Sequence, residues 1–113
     1  MGIVCAQKRF LTETHLQNVG INLESNFIIA GALDEYGCPE FTNLWDPEKD
    51  MIRVCSEVCD AHPDIGALML ECTGMQPFAR AVQRVVDLPV FSWGTLLDYA
   101  YSVVVHRDYY GHV

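Results

Sequence analysis

Basic residues are scarce in this sequence. Seven Lys and Arg stand against fifteen Asp and Glu, a formal net charge of −8. Binding a nucleic-acid backbone takes clustered cations that displace its counterions. Here only Arg80 and Arg84 share a helical face among the bases, which excludes nucleic acid as the expected partner. No apolar run approaches the roughly 18 residues of a membrane span. The N-terminus also lacks the charged segment and cleavage site of a secretory signal, so the expectation is a cytoplasmic protein with no membrane partner. The cysteines, Cys5, Cys38, Cys55, Cys59 and Cys72, are odd in number and scattered, which excludes a disulfide framework. No Cys-x-x-Cys pair occurs. Cys55, Cys59 and His62 fall at i, i+4 and i+7 on one helical face and could offer three zinc ligands, but a fourth is missing. Small residues on a core-facing stripe is the simpler reading, and no metal is expected.

What is present reads as one ordinary core. The 113 residues, half of them apolar, suffice for a single domain over 1–113 and not for two. Strand-like and helix-like segments alternate along it. Gly2–Ala6 (GIVCA) is a β-rich run, and a helix follows in which Thr12 or Thr14 caps and Gly20 ends. Asn26–Ala32 (NFIIAGA) is a continuous apolar run of the kind found in a strand covered on both faces. Leu33–Trp45 has no period and reads as a loop. A helix opens with Asp46 as N-cap and Pro47 at its first position, and His62-Pro63 closes it. Ile65–Leu70 (IGALML) is a second buried strand. Pro77 opens the next helix, with Phe78, Ala81, Val82 and Val85 on one stripe. PVFSW, from Pro89 to Trp93, is the last strand. Thr95 caps a final helix over 95–111, with Gly111 placed to stop it and Val103–Val105 as weak helix material. Four strands alternating with helices predict the α/β class, a parallel sheet of about four strands with helices on both faces.

In such sheets ligands gather outside the carboxyl ends of the strands. Cys72 falls there, in LMLECTGMQP (68–77), after a buried strand and before a helix. Gly74 would let a ligand approach the backbone, and a helix N-terminus with its partial positive charge would favour a thiolate. Three thiol chemistries can be weighed. A phosphatase-type loop would place an arginine six residues on, yet position 78 is Phe and the next arginine is Arg80. A protease or transferase would need an activating histidine, and none of His15, His62, His106 and His112 falls at a predicted strand's carboxyl edge. Proton transfer at carbon asks least: Cys72 exchanges a proton beside a carboxylate that Thr73 and nearby N–H groups hold.

Residues 62–101, HPDIGALMLECTGMQPFARAVQRVVDLPVFSWGTLLDYAY, resemble the C-terminal signature of the aspartate/glutamate racemase superfamily: an apolar strand ending in E-C-T, a helix with proline at its start, then LPVF and a TL helix. GIVCAQKRFLTETHLQNVGI upstream is similar to the strand and helix that open the second domain in that superfamily. The resemblance implies one half of a two-domain enzyme. It also implies cofactor-independent racemisation or isomerisation, in which two cysteines on opposite faces of the substrate α-carbon exchange protons. Cys72 matches the second cysteine and is the implied catalytic residue; Thr73 and Gly74 are the implied substrate-binding residues. Gly74 stands where glutamate racemases carry histidine, and Ser92-Trp93 replace the usual acid after PVF. No cofactor is expected, since pyridoxal phosphate needs a lysine and only Lys8 and Lys49 occur. The first domain with its own cysteine has no counterpart here, so the expected site is incomplete. Cys5, inside the first strand, reads as core.

The implied partner is a small carboxylate-bearing substrate. A homo-oligomer in which two copies bring their Cys72 thiols face to face would complete the site. The alternative is a non-catalytic α/β module binding a small acid or a protein through the same edge. Tyr99, Tyr101, Tyr109, Tyr110, Phe91 and Trp93 are expected to be partly buried against the sheet, and a final helix separated from a first domain would need a partner to cover it.

Overall fold

The computed structural model describes residues 1–38 and 47–111. Its four strands are β1 (Gly2–Cys5), β2 (Ile28–Gly31), β3 (Leu68–Leu70) and β4 (Val90–Phe91). All pairs are parallel and the order is β2-β1-β3-β4, so β1 and β3 are interior and β2 and β4 are edges. The helices are α1 (Glu13–Asn18), α2 (Pro47–Ala61), α3 (Ala79–Val86) and α4 (Trp93–Val104). Short 3₁₀ segments precede α1 (Lys8–Phe10) and α3 (Thr73–Phe78). The α/β parallel sheet expected from the strand and helix alternation is present.

The alternation of side chains along each strand decides which layer each residue joins. Val4 lies beside Ala30 and Leu70 in register, and Leu68 beside Val90. These residues form one buried cluster with Met51, Val54, Cys55 and Val58 of α2 and Val82 of α3. The intervening positions Ile3, Cys5 and Met69 turn to the other face, where Leu16 and Val19 of the α1 segment meet them across a cavity. One face is thus packed by two helices and the other only partly covered by one.

Several boundaries depart from expectation. Asp46, the expected cap of α2, lies outside the described residues, as does the end of the loop from Leu33 to Trp45. β3 starts at Leu68 rather than Ile65, because the Ile65 N–H donates to the His62 carbonyl in a turn (3.0 Å). Pro77 does not open the α-helix. It lies inside the 3₁₀ segment, and α3 begins at Ala79. The residue before a proline avoids the α conformation, which keeps this stretch out of regular α geometry. The stripe shifts with it: Val85 is 55% exposed, and Val86 packs against the core instead.

α4 is capped by Ser92, not Thr95. The Ser92 N–H donates to Thr95 Oγ1 (3.0 Å), and that hydroxyl donates to the Ser92 carbonyl (2.8 Å). The helix ends at Val104, not Gly111, within the β-branched run Val103–Val105. None of its residues is buried. Tyr99 and Tyr101 are 70% and 66% exposed, and Tyr109 and Tyr110 are more so; they do not pack on the sheet, because α4 meets the body mainly at its start, against β4 and the Thr73–Phe78 turn.

Candidate functional site

The chain leaves β3 under restraint from two sides. The Glu71 N–H donates to the Val4 carbonyl (2.9 Å), extending the ladder past Leu70. The Glu71 carbonyl in turn accepts from Trp93 Nε1–H at the start of α4 (3.2 Å). Cys72 follows in an extended conformation (φ −76°, ψ 133°) as the residue that opens the 3₁₀ turn, and its carbonyl accepts from the Met75 N–H (3.0 Å). Met75 is fully buried and anchors the turn in the core. The turn is therefore held at both ends while its outer residues stay open. Cys72 is a free thiol, half-buried at the margin of the core, and Thr73 and Gly74 are exposed.

The three residues singled out from the sequence lie together at the carboxyl end of an interior strand. Cys72 stands directly at the first helical residue rather than a turn ahead of it, the consequence of the 3₁₀ start. A Cβ added at Gly74 would sit 3.8 Å from Cys72 Sγ, in ordinary van der Waals contact. The missing side chain thus leaves open the space beside the thiol. Near the same edge, Gln76 packs against Gly94, where a Cβ would come within 2.6 Å of the Gln76 amide nitrogen.

The other cysteines occupy different surroundings. Burial pushes the Cys5 thiol up to about 11, with Glu71 and Asp34 adding to it. Cys55, fully buried in α2, is pushed up to about 12 by burial, and burial also raises Cys38 and Cys59. The Cys55, Cys59 and His62 stripe does not gather into a metal site: among the described residues no group of three His, Cys, Asp or Glu side chains is placed to hold an ion. Cys5 ends β1 and donates to the Ala30 carbonyl (3.5 Å). It faces the α1 side of the sheet, whereas Cys72 packs with the α2 and α3 side, so the two thiols do not face one another.

Two features went unseen in the sequence. The first is a cavity of about 470 Å³ on the α1 side, lined by Ile3, Cys5, Leu16, Met69 and, at its polar rim, His15 and Glu71. His15 accepts from the Thr12 N–H through Nδ1 (3.1 Å) and lies near the carboxyl edge after all. The alternation of Ile3 and Cys5 against Val4 carried this signal. The second is a charged cluster after β2. Asp34 accepts from the N–H groups of Lys8 (3.2 Å) and Arg9 (3.4 Å), and Glu35 accepts from Lys8 Nζ (2.8 Å) and the Gly31 N–H (3.0 Å). It clamps the β1 and β2 ends together.

Comparison with curated proteins finds a dimethylsulfoniopropionate lyase from Durusdinium sp. clade D that is 30% identical over 73 residues. The match takes in 60% of this chain and 24% of the lyase, so this chain spans about a quarter of that relative's length. No family model matches the chain, and no solved structure matches it.

Proposed function

We propose that the turn at Cys72 is the proton-transferring part of a cofactor-independent enzyme acting at the carbon next to a carboxylate. The enzyme would be of the aspartate/glutamate racemase type or a lyase sharing its first chemical step. The observation that carries the reading is the position of Cys72: a half-exposed free thiol at the carboxyl end of an interior parallel strand, opening a helical turn, with Thr73 and Gly74 open beside it. The Thr73 hydroxyl and the first N–H groups of the turn would hold the substrate carboxylate, because the opening N–H groups of a helical turn lack partners within it. The thiolate would then remove the α-proton.

The fate of the carbanion separates the two activities. Racemisation requires a second acid on the opposite face to return a proton. No second thiol faces Cys72 among the described residues, so a racemase needs a group from elsewhere. Elimination needs only the base when the β-carbon carries a good leaving group. In dimethylsulfoniopropionate that group is a sulfonium: the α C–H bond breaks with its proton going to Cys72 Sγ, its electron pair forms the carbon–carbon double bond, and the β C–S bond breaks to release neutral dimethyl sulfide. The partial match to a lyase of that name supports this second outcome. We place the activity in the cytoplasm, where thiols stay reduced.

The test offers aspartate, glutamate and dimethylsulfoniopropionate to the protein in deuterated buffer, following the α-proton signal by NMR and dimethyl sulfide by gas chromatography. Exchange or sulfide release that disappears in Cys72→Ala supports the proposal. Binding of these acids without exchange or elimination would identify a non-catalytic module instead.

A further inference from the structure

We propose that two copies of this chain pair by exchanging α4, each helix lying in the apolar groove beside α1 of the other copy. The proposal is independent of the chemistry at Cys72. It rests on two surfaces that one chain presents and leaves uncovered.

The first surface is α4 itself. α4 is amphipathic, with Thr95, Asp98 and Ser102 on one face and Leu96, Leu97, Val103 and Val104 on the other, and an apolar helical face belongs against a core or a partner. Yet Leu96, Leu97, Val103 and Val104 of α4 are all more than half exposed, and Asp98 is its single acid or base. The second is the groove of about 470 Å³ on the α1 side of the sheet, with Ile3, Leu16, Ile21 and Met69 in its walls and the exposed Phe10 and Val19 at its rim. Among the described residues, Glu71 is the one carboxylate lining it. The net charge of −8 would oppose association of two copies elsewhere, but these two surfaces are poor in charge.

In a doubly wound sheet a helix after β4 would normally return over the face that α2 and α3 leave open. Here α4 is fastened to the body at its start by the Trp93–Glu71 bond, and its later residues Tyr101, Val103 and Val104 stand exposed. The chain is extended, with a radius of gyration of 15.8 Å against about 13 Å for a compact domain of this length, and α4 and the exposed residues 105–111 that follow it lie in that extension. An arm that carries its own apolar face away from a matching groove is the geometry that a reciprocal exchange satisfies.

Area decides between one contact and two. α4 is about 18 Å long, and laying one face of such a helix in a groove removes roughly 800 Å² from the two surfaces, no more than a crystal contact. Two reciprocal contacts remove roughly 1,600 Å², the size of a specific interface. The two-fold arrangement is therefore favoured over an open chain of copies.

The test is light scattering on the full chain across about 1–100 μM, with circular dichroism confirming the fold of each variant. Wild type is expected at twice 12.7 kDa. Leu96→Glu/Leu97→Glu alters the arm and Val19→Glu the rim of the groove, all at exposed positions that folding of the monomer does not use. Each variant alone is expected to be monomeric below 100 μM. An equimolar mixture, which retains one intact contact, should associate at least 10-fold more tightly than either variant alone. A monomeric wild type would overturn the proposal, whether α4 folds onto its own groove or inserts into phosphatidylcholine vesicles in a flotation assay. So would a Val19→Glu dimer as tight as wild type, since that outcome means helix pairs with helix.

Discussion

Gly31→Ala is expected to cost on the order of 1–2 kcal/mol, although it adds one methyl group. Gly31 ends β2, and a Cβ built on it collides with the Asp34 carboxylate and approaches the Lys8 backbone nitrogen to 2.7 Å. The carboxylate can swing away only by giving up its bonds from the Lys8 and Arg9 N–H groups, 3.2 and 3.4 Å long. A bond to a charged group is worth about 1.5–3 kcal/mol when buried. Asp34 is exposed, so water makes good much of what those two bonds lose. The larger cost comes from the Lys8 nitrogen, which is backbone and cannot rotate aside, so the β1–α1 connection must shift at about 1–2 kcal/mol. Against a total of roughly 6–17 kcal/mol for a chain of this length, the loss is large but leaves the protein folded. Urea unfolding followed by circular dichroism should show the midpoint falling by about 0.5–1 M. In an Asp34→Ala background the carboxylate is already gone, and the same substitution should cost measurably less, with only the Lys8 nitrogen left to displace. The reasoning fails if Gly31→Ala lies within about 0.5 kcal/mol of wild type, or if its cost is the same in both backgrounds.

Gly74→Ala is expected to leave the urea midpoint unchanged or slightly raised, because alanine is the better helix former and the methyl meets only Cys72 Sγ at 3.8 Å. Alkylation of Cys72 by a bulky maleimide, read by mass spectrometry, should nonetheless slow. Trp93→Phe removes the donor to the Glu71 carbonyl and should destabilise by about 1 kcal/mol in the same urea assay. The hydrogen bond from Lys8, aided by the Gly31 N–H, holds the Glu35 carboxyl below its ordinary 4.5. Its contribution is thus present above pH 4.5 and lost as pH falls through the lowered value, and Glu35→Gln should flatten the acid side of the stability profile. Cys5 and Cys55 act at the other end. Unfolded thiols ionise near 9.0 while these two hold their protons to about 11 and about 12, so stability should decline as pH rises above 9.0, less steeply in Cys5→Ala.

The strands and the class of fold were legible because a buried parallel strand announces itself locally, as in IIAG and LML, and punctuation such as Thr12, Gly20 and Pro47 marks helix ends without reference to the rest of the chain. The grouping of Cys72, Thr73 and Gly74 was legible for the same reason, since they are neighbours in sequence. What failed depended on contacts between distant segments. Thr95 looked like a cap, yet the chain turned into helix three residues earlier, where Ser92 is buried against the end of the sheet. The C-terminal tyrosines were expected to be partly buried because aromatic residues usually find cover, and no local rule says that a helix tied by Trp93 to Glu71 will leave them off the sheet.

The sequence alone determined a parallel α/β sheet and the placing of one thiol at a strand's carboxyl end, because strand period, helix caps and breakers act over a few residues. Only the tertiary structure decided that Cys5 and Cys72 face opposite sides of that sheet, that Lys8, Asp34 and Glu35 form one clamp, and that α4 and the groove beside α1 are both left uncovered. The reason is that facing and coverage follow from which strands become neighbours and how each helix packs across them, and those pairings join residues far apart in the chain.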